Sequence, residues 1–321
     1  MANANRPTWK ELQNELRKLG DMTLPRFLDV TNFEVEDLYR NRGGWTALRR
    51  AAGFAAAASD PAIDTQLGRA FGRALHIDDT VRLTFMDAFF RGMVWPPETV
   101  REHRMQAMLD VALWGGTEPY ADAAVRLSRI KGDRRVELVE LAEILRGRAR
   151  DTSSPLQADV PLCLHSRYSK NEVLAAFGVD KPAHMREGVK YIAEHRADVF
   201  FVTINKNERE YSESTRYSDY AITEELFHWE SQSGLSATAP TAERYIHGSS
   251  TVHLLIRQTK RDEGWGAPPY TYAGPMRYVS CKGERPIAFV WKLDHALPSE
   301  VFQYAKATPD NALQADFAAE S

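Results

Sequence analysis

The sequence contains only two cysteines, Cys163 and Cys281, in 321 residues. Two cysteines cannot build the multiple-disulfide framework of a small secreted domain, so cysteine usage favours a reducing compartment and predicts a cytoplasmic protein. Cys163 and His165 could supply half of a zinc site, but no second close pair completes the four ligands that structural zinc requires. We therefore expect no bound metal.

Long hydrophobic runs and an excess of positive charge are also missing. No apolar run reaches the roughly 18 residues that a membrane span needs, and the N-terminus lacks the basic-then-apolar pattern of an export signal. We therefore expect no membrane association. The net charge of −3 excludes a globally basic nucleic-acid binder, so a DNA-binding surface would have to be a local patch.

The usual signatures of catalysis are absent from the sequence. It has no glycine-rich phosphate loop ending in Lys-Ser/Thr, no Gly-x-Ser-x-Gly elbow and no paired-histidine zinc helix. His228, His247 and His253 are close in sequence, but no ligand spacing links them. These absences predict that this chain is not an enzyme and needs no cofactor.

The first half of the sequence has the periodicity of helices. Thr8 and Glu11 stand at the spacing of a capping box, and the helix that follows can end at Gly20. Helical spacing of apolar residues continues to about residue 145, so residues 1–150 are predicted to form an all-helical spacer domain. Arginines at 49–50, 134–135, 146, 148 and 150 suggest DNA binding, but a solvated helix face balanced by neighbouring acids is the favoured interpretation.

The second half changes to the period of β-strands. Residues 151–165 are predicted to be a linker, 166–305 a second domain and 306–321 a disordered tail. After one capped helix that starts at Ser169, the segment 198–204 is apolar on both faces, which predicts a covered central strand. Alternation in 286–293 predicts another strand. The fold class is therefore α+β, with a helical domain followed by a mixed β-rich domain that forms a curved sheet or a partly closed barrel.

One stretch of the second domain, 217–233, mixes aromatic rings, carboxylates, a histidine and small polar groups. Such a mixture offers ring faces for stacking and hydrogen-bonding groups, which suits a flat ligand such as a nucleobase. The alternative is that Phe227 and Trp229 are core anchors and that the polar residues face water.

Several blocks of the second half occur together: 186–189, 198–203 with 205–206, 219–222, 226–232, 244–246, and 291–293 with 297–298. In combination they resemble the domain of unknown function that closes a class of bacterial DEAD/DEAH-box helicases. Blocks 27–28, 38–40, 44–48 and 75–79 are similar to the helical region that follows the helicase core in those proteins. The nuclease and motor that accompany this domain in the family are not in this sequence.

The resemblance implies a reader of modified cytosine, with an SRA/PUA-like fold, that acts with helicase and nuclease domains in cis or trans on double-stranded DNA. Such a reader flips the base and stacks it between rings. The implied base pocket comprises Tyr217, Asp219, Tyr220, Phe227, His228, Trp229, Glu230, Ser231 and Gln232. Within it, Tyr217, Tyr220 and Trp229 are the candidate stacking faces. Asp219 or Glu230 could accept from the cytosine N4 amine, and Gln232 or Ser231 could complete the contact with the base edge. The implied phosphate contacts are Arg186, Lys206, Arg244 and Arg257. The competing hypothesis is a protein-interaction module in which the aromatic stretch supplies the interface hot spots.

Overall fold

A computed structural model describes residues 6–40, 42–93, 97–150, 155–205, 219–261 and 266–306. These residues divide into two compact units. The first lies within Met1–Met185 and Glu263–Gly266, and the second within Arg186–Asp262 and Ala267–Ser321. Across the described ranges, no helix combines the length and the apolar character that crossing a membrane requires.

The first unit is built mainly from helices. In chain order they are α1 (Trp9–Leu19), α2 (Leu24–Val30), α3 (Val35–Tyr39), α4 (Gly44–Ala52), α5 (Pro61–Ala74), α6 (Thr80–Arg91), α7 (Val100–Trp114), α8 (Ala123–Ser128) and α9 (Gly132–Arg148). The unit ends with the short strand β1 (Arg167–Tyr168) and helix α10 (Lys170–Ala176). The predicted helical region is thus confirmed.

The predicted helix ends are also confirmed. Thr8 and Glu11 form the expected capping box at the start of α1, and Gly20 follows its last residue. Ser169 and Glu172 form the second capping box, at the start of α10. Each box satisfies backbone N–H groups that the helix itself cannot pair, which is why these short sequence patterns locate helix starts.

Most arginines that suggested DNA binding in this unit are held by acids. Eight ion pairs illustrate this: Arg49 with Asp21, Arg50 and Arg134 with Asp64, Arg134 with Glu137, Arg146 with Asp87, Arg148 with Glu34 and Glu36, and Arg150 with Asp78. Arg135 donates to the backbone carbonyl of Phe90. The contacts favour a charge-balanced helical scaffold over a basic DNA-binding face.

A buried polar cluster, which we call the Arg82 cluster, joins α6 to the segment that leads into α10. Its members are Asp79, Arg82, Tyr168, Glu172 and His76. Arg82 donates from Nε to Asp79 and from Nη1 to Glu172 at 2.7 Å, and its guanidinium lies 3.9 Å from the centroid of the Tyr168 ring. Nε2 of His76 lies 2.6 Å from the second carboxylate oxygen of Glu172.

The charges of the Arg82 cluster compensate one another. Burial alone would raise the pKa of Glu172, but the nearby charges of His76 and Arg82 lower it to about 2. Asp79 also accepts the backbone N–H of Arg82 and so caps α6. The cluster therefore fixes the position of α10 relative to α6 through ionic hydrogen bonds that water does not reach.

The second unit contains an open mixed sheet. Its strands are β2 (Val189–Ile192), β3 (Ala197–Thr203), β4 (Tyr220–Ala221), β5 (Leu226–Glu230), β6 (Thr251–Arg257), β7 (Tyr270–Lys282) and β8 (Ala288–Leu293), with helices α11 (Pro240–Ile246) and α12 (Ser299–Ala305). The strand order is β2-β3-β6-β7-β8-β5-β4. Neighbours pair antiparallel except β3 and β6, which are parallel. The α+β class is confirmed, and the sheet is not closed into a barrel.

The main hydrophobic core of this unit packs against one face of the sheet, and at β3 the other face is covered as well. Every residue of β3 is buried, as predicted for a covered central strand. Ile287, Phe289, Trp291 and Leu293 alternate into the core, which confirms the period-two pattern of the last strand.

The division between the units differs from the predicted linker. Residues 151–154, at the start of the predicted linker, lie outside the described residues. So do residues 307–321, which are the predicted tail apart from its first residue. Val160, Leu162 and Cys163 are buried, so the second part of the predicted linker packs as core. The units divide at Met185 and Arg186, because the segment through α10 is held by the Arg82 cluster.

Candidate functional site

The aromatic-polar stretch forms β4 and β5, which pair with Tyr220 opposite His228. On its other side β5 pairs with β8, with His228 opposite Val290. Successive side chains of a strand point to opposite faces of the sheet. The stretch is therefore divided into two sets of residues rather than gathered into one pocket.

Phe227 and Trp229 face the core. Phe227 is fully buried, and Trp229 is only 7% exposed. The centroid of the Trp229 ring lies 4.4 Å from that of Phe200 and 5.8 Å from that of Phe289. The prediction that Trp229 offers a stacking face to a ligand is therefore wrong in this conformation, and Phe227 is likewise a core anchor.

Tyr220 and His228 lie on the opposite face of the sheet, which we call the outer face. It is defined by Tyr220 of β4, Leu226, His228 and Glu230 of β5, Ala288, Val290 and Lys292 of β8, and Arg277, Ser280 and Lys282 of β7. These residues share a face because side chains paired directly across antiparallel strands point the same way. The Tyr220 and His228 rings are stacked, with centroids 4.5 Å apart and planes 12° apart.

Two carboxylates lie at the end of this ring pair. Oδ1 of Asp219 accepts the backbone N–H of Glu230 at 3.1 Å, which ties the start of β4 to the end of β5. The Glu230 side chain is half-buried and follows His228 by two residues on the outer face. Of the two predicted base-edge acceptors, Asp219 is thus engaged with the backbone, and Glu230 lies on the same face as the rings.

Ser231 and Gln232 are separated from the ring pair. Ser231 is fully buried, and its Oγ accepts the backbone N–H of Ile287 at 2.9 Å. The hydroxyl therefore joins two chain segments, which replaces its predicted contact with a base edge. Gln232 is exposed in the turn after β5. Tyr217, the remaining predicted pocket residue, lies outside the described residues.

The predicted phosphate contacts are dispersed. Arg244 donates to the buried carboxylate of Asp198 from Nε at 2.8 Å and from Nη2 at 2.9 Å, and its guanidinium lies 4.0 Å from the centroid of the Tyr191 ring. These hydrogen bonds raise the pKa of Arg244. Arg244 thus joins α11 to β3, which is a structural role in place of the predicted phosphate contact.

Arg257 and Arg186 have different surroundings. Arg257 donates from Nε to the hydroxyl of Thr203 at 3.0 Å and lies over the Tyr270 ring at 4.3 Å. Arg186 is exposed at the start of the second unit. Lys206 lies outside the described residues. The structure brings none of the described members of this set onto the outer face.

Sequence reasoning gave no role to three cations on the outer face. Arg277 and Lys292 are paired across β7 and β8, and their side chains are 78% and 61% exposed. Lys282 is opposite Ala288 on the same strands. Alternation placed Lys292 outward, but the pairing of β7 depends on a register shift between Tyr278 and Ser280 that no sequence pattern indicated.

A buried histidine lies elsewhere in the second unit. Nδ1 of His253 is 2.8 Å from the hydroxyl of Tyr272. Burial, with a smaller contribution from His195, lowers the pKa of His253 to about 4. In the part of the chain that the structure describes, no group of three or more His, Cys, Asp or Glu residues could hold a metal ion.

Acidification is expected to destabilise the protein through His253. An unfolded chain protonates this histidine below about pH 6.5, whereas the folded protein resists protonation until about pH 4. The stability is therefore fully present above pH 6.5 and falls as the pH drops through this window, by about 2 kcal/mol at pH 5. Urea unfolding at several pH values measures the loss. His253→Gln should remove this part of the pH dependence, and an equal dependence in both proteins would contradict the assignment.

Residues 162–305 match the family described as "Domain of unknown function (DUF3427)". The matched segment includes β4, β5, β7 and β8, and hence the whole outer face. It begins inside the first unit, before α10. No curated protein and no solved structure matches the chain.

Proposed function

We propose that this chain recognises modified cytosine in double-stranded DNA and is the targeting part of a modification-dependent restriction system. The helicase and nuclease domains would act in cis or in trans. The observation that supports this best is the stacked pair of Tyr220 and His228 with Glu230 on the same face. A flipped base needs a flat surface to stack on and groups that read its edge.

In this proposal, the residues that stack on the base and read its edge differ from those that the sequence predicted. The ring of His228 replaces Trp229 as the stacking surface, since the ring of Trp229 is enclosed by the core. His228 is half-buried, and Tyr220, which is only 5% exposed, supports the His228 ring from behind. Glu230 is the proposed acceptor for the cytosine N4 amine, because a carboxylate accepts from that donor. Asp219 positions Glu230 through the backbone N–H of that residue.

A protein-interaction module is the second candidate function. Ile222, which follows β4 directly, is 42% exposed. Val279, which lies at the register shift of β7, is 49% exposed. Exposed apolar residues next to a polar rim are typical of contact sites for other proteins. In this alternative the outer face would dock a subunit of the helicase.

Glu230→Gln is expected to reduce discrimination between modified and plain DNA, because in this proposal only the modified cytosine is held flipped against Glu230, whereas plain duplex is bound through its phosphates. Loss of a base-edge contact costs roughly 1–3 kcal/mol, or about 5- to 150-fold in the ratio of the two affinities. The measurement is the dissociation constant for a short duplex with and without 5-methylcytosine or 5-hydroxymethylcytosine. His228→Ala should likewise weaken the complex with modified DNA more than the complex with plain duplex, because it removes the exposed ring on which the flipped base stacks.

The matched control is Glu284→Gln, an exposed carboxylate in the turn between β7 and β8. It should leave discrimination unchanged. The base-reading function is refuted if the parent protein binds modified and plain duplexes equally. The assignment of Glu230 is refuted if Glu230→Gln discriminates as well as the parent.

A further inference from the structure

The cations of the outer face lie on both sides of the stacked ring pair. Reading across the sheet, one row contains Leu226, Lys292 and Arg277, and the next contains His228, Val290 and Ser280. The third row contains Glu230, Ala288 and Lys282. The row of His228 is therefore flanked by one row with two cations and one row with a single cation.

The spacing of these rows suits a nucleic-acid strand. Ala288 and Lys292 are four residues apart on β8, so the outer rows are about 13 Å apart. That distance equals about four base-pair steps along the axis of a duplex. A strand that crosses the sheet above His228 would have phosphates near cations on both sides of the nucleotide that contacts the rings.

These cations can exchange their present partners for phosphate. Arg277 is 2.8 Å from Asp294, and Lys292 is 4.0 Å from Glu225, on open surface. Exposed ion pairs of this kind contribute roughly 0–1 kcal/mol. Arg244, by contrast, is bound to the buried carboxylate of Asp198, and breaking that contact would leave a buried charge without compensation.

We infer that Arg277, Lys282 and Lys292 form a phosphate-binding track that holds a DNA strand across the outer face. This inference rests on the proposed function because its ligand is DNA. Binding to the track does not depend on cytosine modification, since phosphate contacts position the DNA without reading its bases. The cations on the track therefore replace Arg244 as the contacts that orient the duplex over the ring pair.

The test is the salt dependence of binding to an unmodified duplex. The triple variant Arg277→Gln, Lys282→Gln, Lys292→Gln should reduce the slope of log affinity against log salt by about 2–3, because each lost phosphate contact removes about 0.9. The matched control is Lys10→Gln, Lys18→Gln, Arg148→Gln, which changes three exposed cations of the first unit. The control should keep the slope of the parent.

The two proposals fail in different ways. If the triple variant keeps the slope of the parent, and the parent distinguishes modified from plain DNA, the phosphate-binding track is overturned and the base-reading proposal stands. A reduced slope together with equal affinity of the parent for modified and plain DNA would support the track and overturn the base reader. Absence of binding by the parent to either duplex would overturn both.

Discussion

Arg82→Leu is expected to lower the free energy of unfolding of the first unit by about 3–5 kcal/mol, because it leaves buried carboxylates without their charged partner. Asp79 and Glu172 would lose hydrogen bonds from the guanidinium, and the Tyr168 ring would lose the cation stacked on it. Leucine fills part of the space but supplies no donor. Urea unfolding of the parent and the variant measures the difference.

Arg148→Leu is the matched control for this prediction. Arg148 contacts Glu34 and Glu36 on the surface, where an ion pair contributes roughly 0–1 kcal/mol. The two variants should therefore differ by several kcal/mol. Equal stabilities of Arg82→Leu and Arg148→Leu would show that the Arg82 cluster does not hold α10 in place.

Trp229→Ala is expected to destabilise the second unit by about 3–5 kcal/mol, the typical cost of truncating a large aromatic side chain in a core. The ring contacts Phe200 and Phe289 and faces Tyr245 of α11, so its removal leaves a cavity between the sheet and α11. The melting temperature should fall on the order of 10 °C. Differential scanning calorimetry measures this shift.

His228→Ala provides the comparison on the same strand. His228 is half-buried on the outer face, so its truncation should change stability by less than about 1 kcal/mol. Should Trp229→Ala melt like the parent while losing DNA binding, the ring would be a ligand contact after all, and the core assignment would be incorrect.

Local patterns predicted much of the fold. The capping boxes at Thr8 and Ser169 located the starts of α1 and α10, because those contacts lie within four residues of one another. Alternation from Ile287 into β8 identified the core face of that strand. Ile287, Phe289 and Trp291 are apolar residues at every second position, so they point to the same face, and that face is buried. These features depend on neighbours in sequence, which the sequence displays directly.

The site was less predictable because it depends on distant pairings. The sequence placed Trp229 and His228 in one pocket, although alternation assigns them to opposite faces, because aromatic rings suit either a core or a ligand site. The core role of Trp229 is decided by Phe200 and Phe289, far away in the chain. Asp198, the partner of Arg244, is separated from it by 46 residues, and no local pattern connects them.

The Arg82 cluster has a consequence for how such chains can be recombined. The family match starts at residue 162, after Arg82 and before Glu172, so an exchange of the matched segment between relatives would transplant one side of the buried ion network without the other. A hybrid would fold well only if its helical donor supplied a cation at the position of Arg82. Joining the parents after Met185 would keep both sides together, which makes that position the better junction for building chimeric proteins.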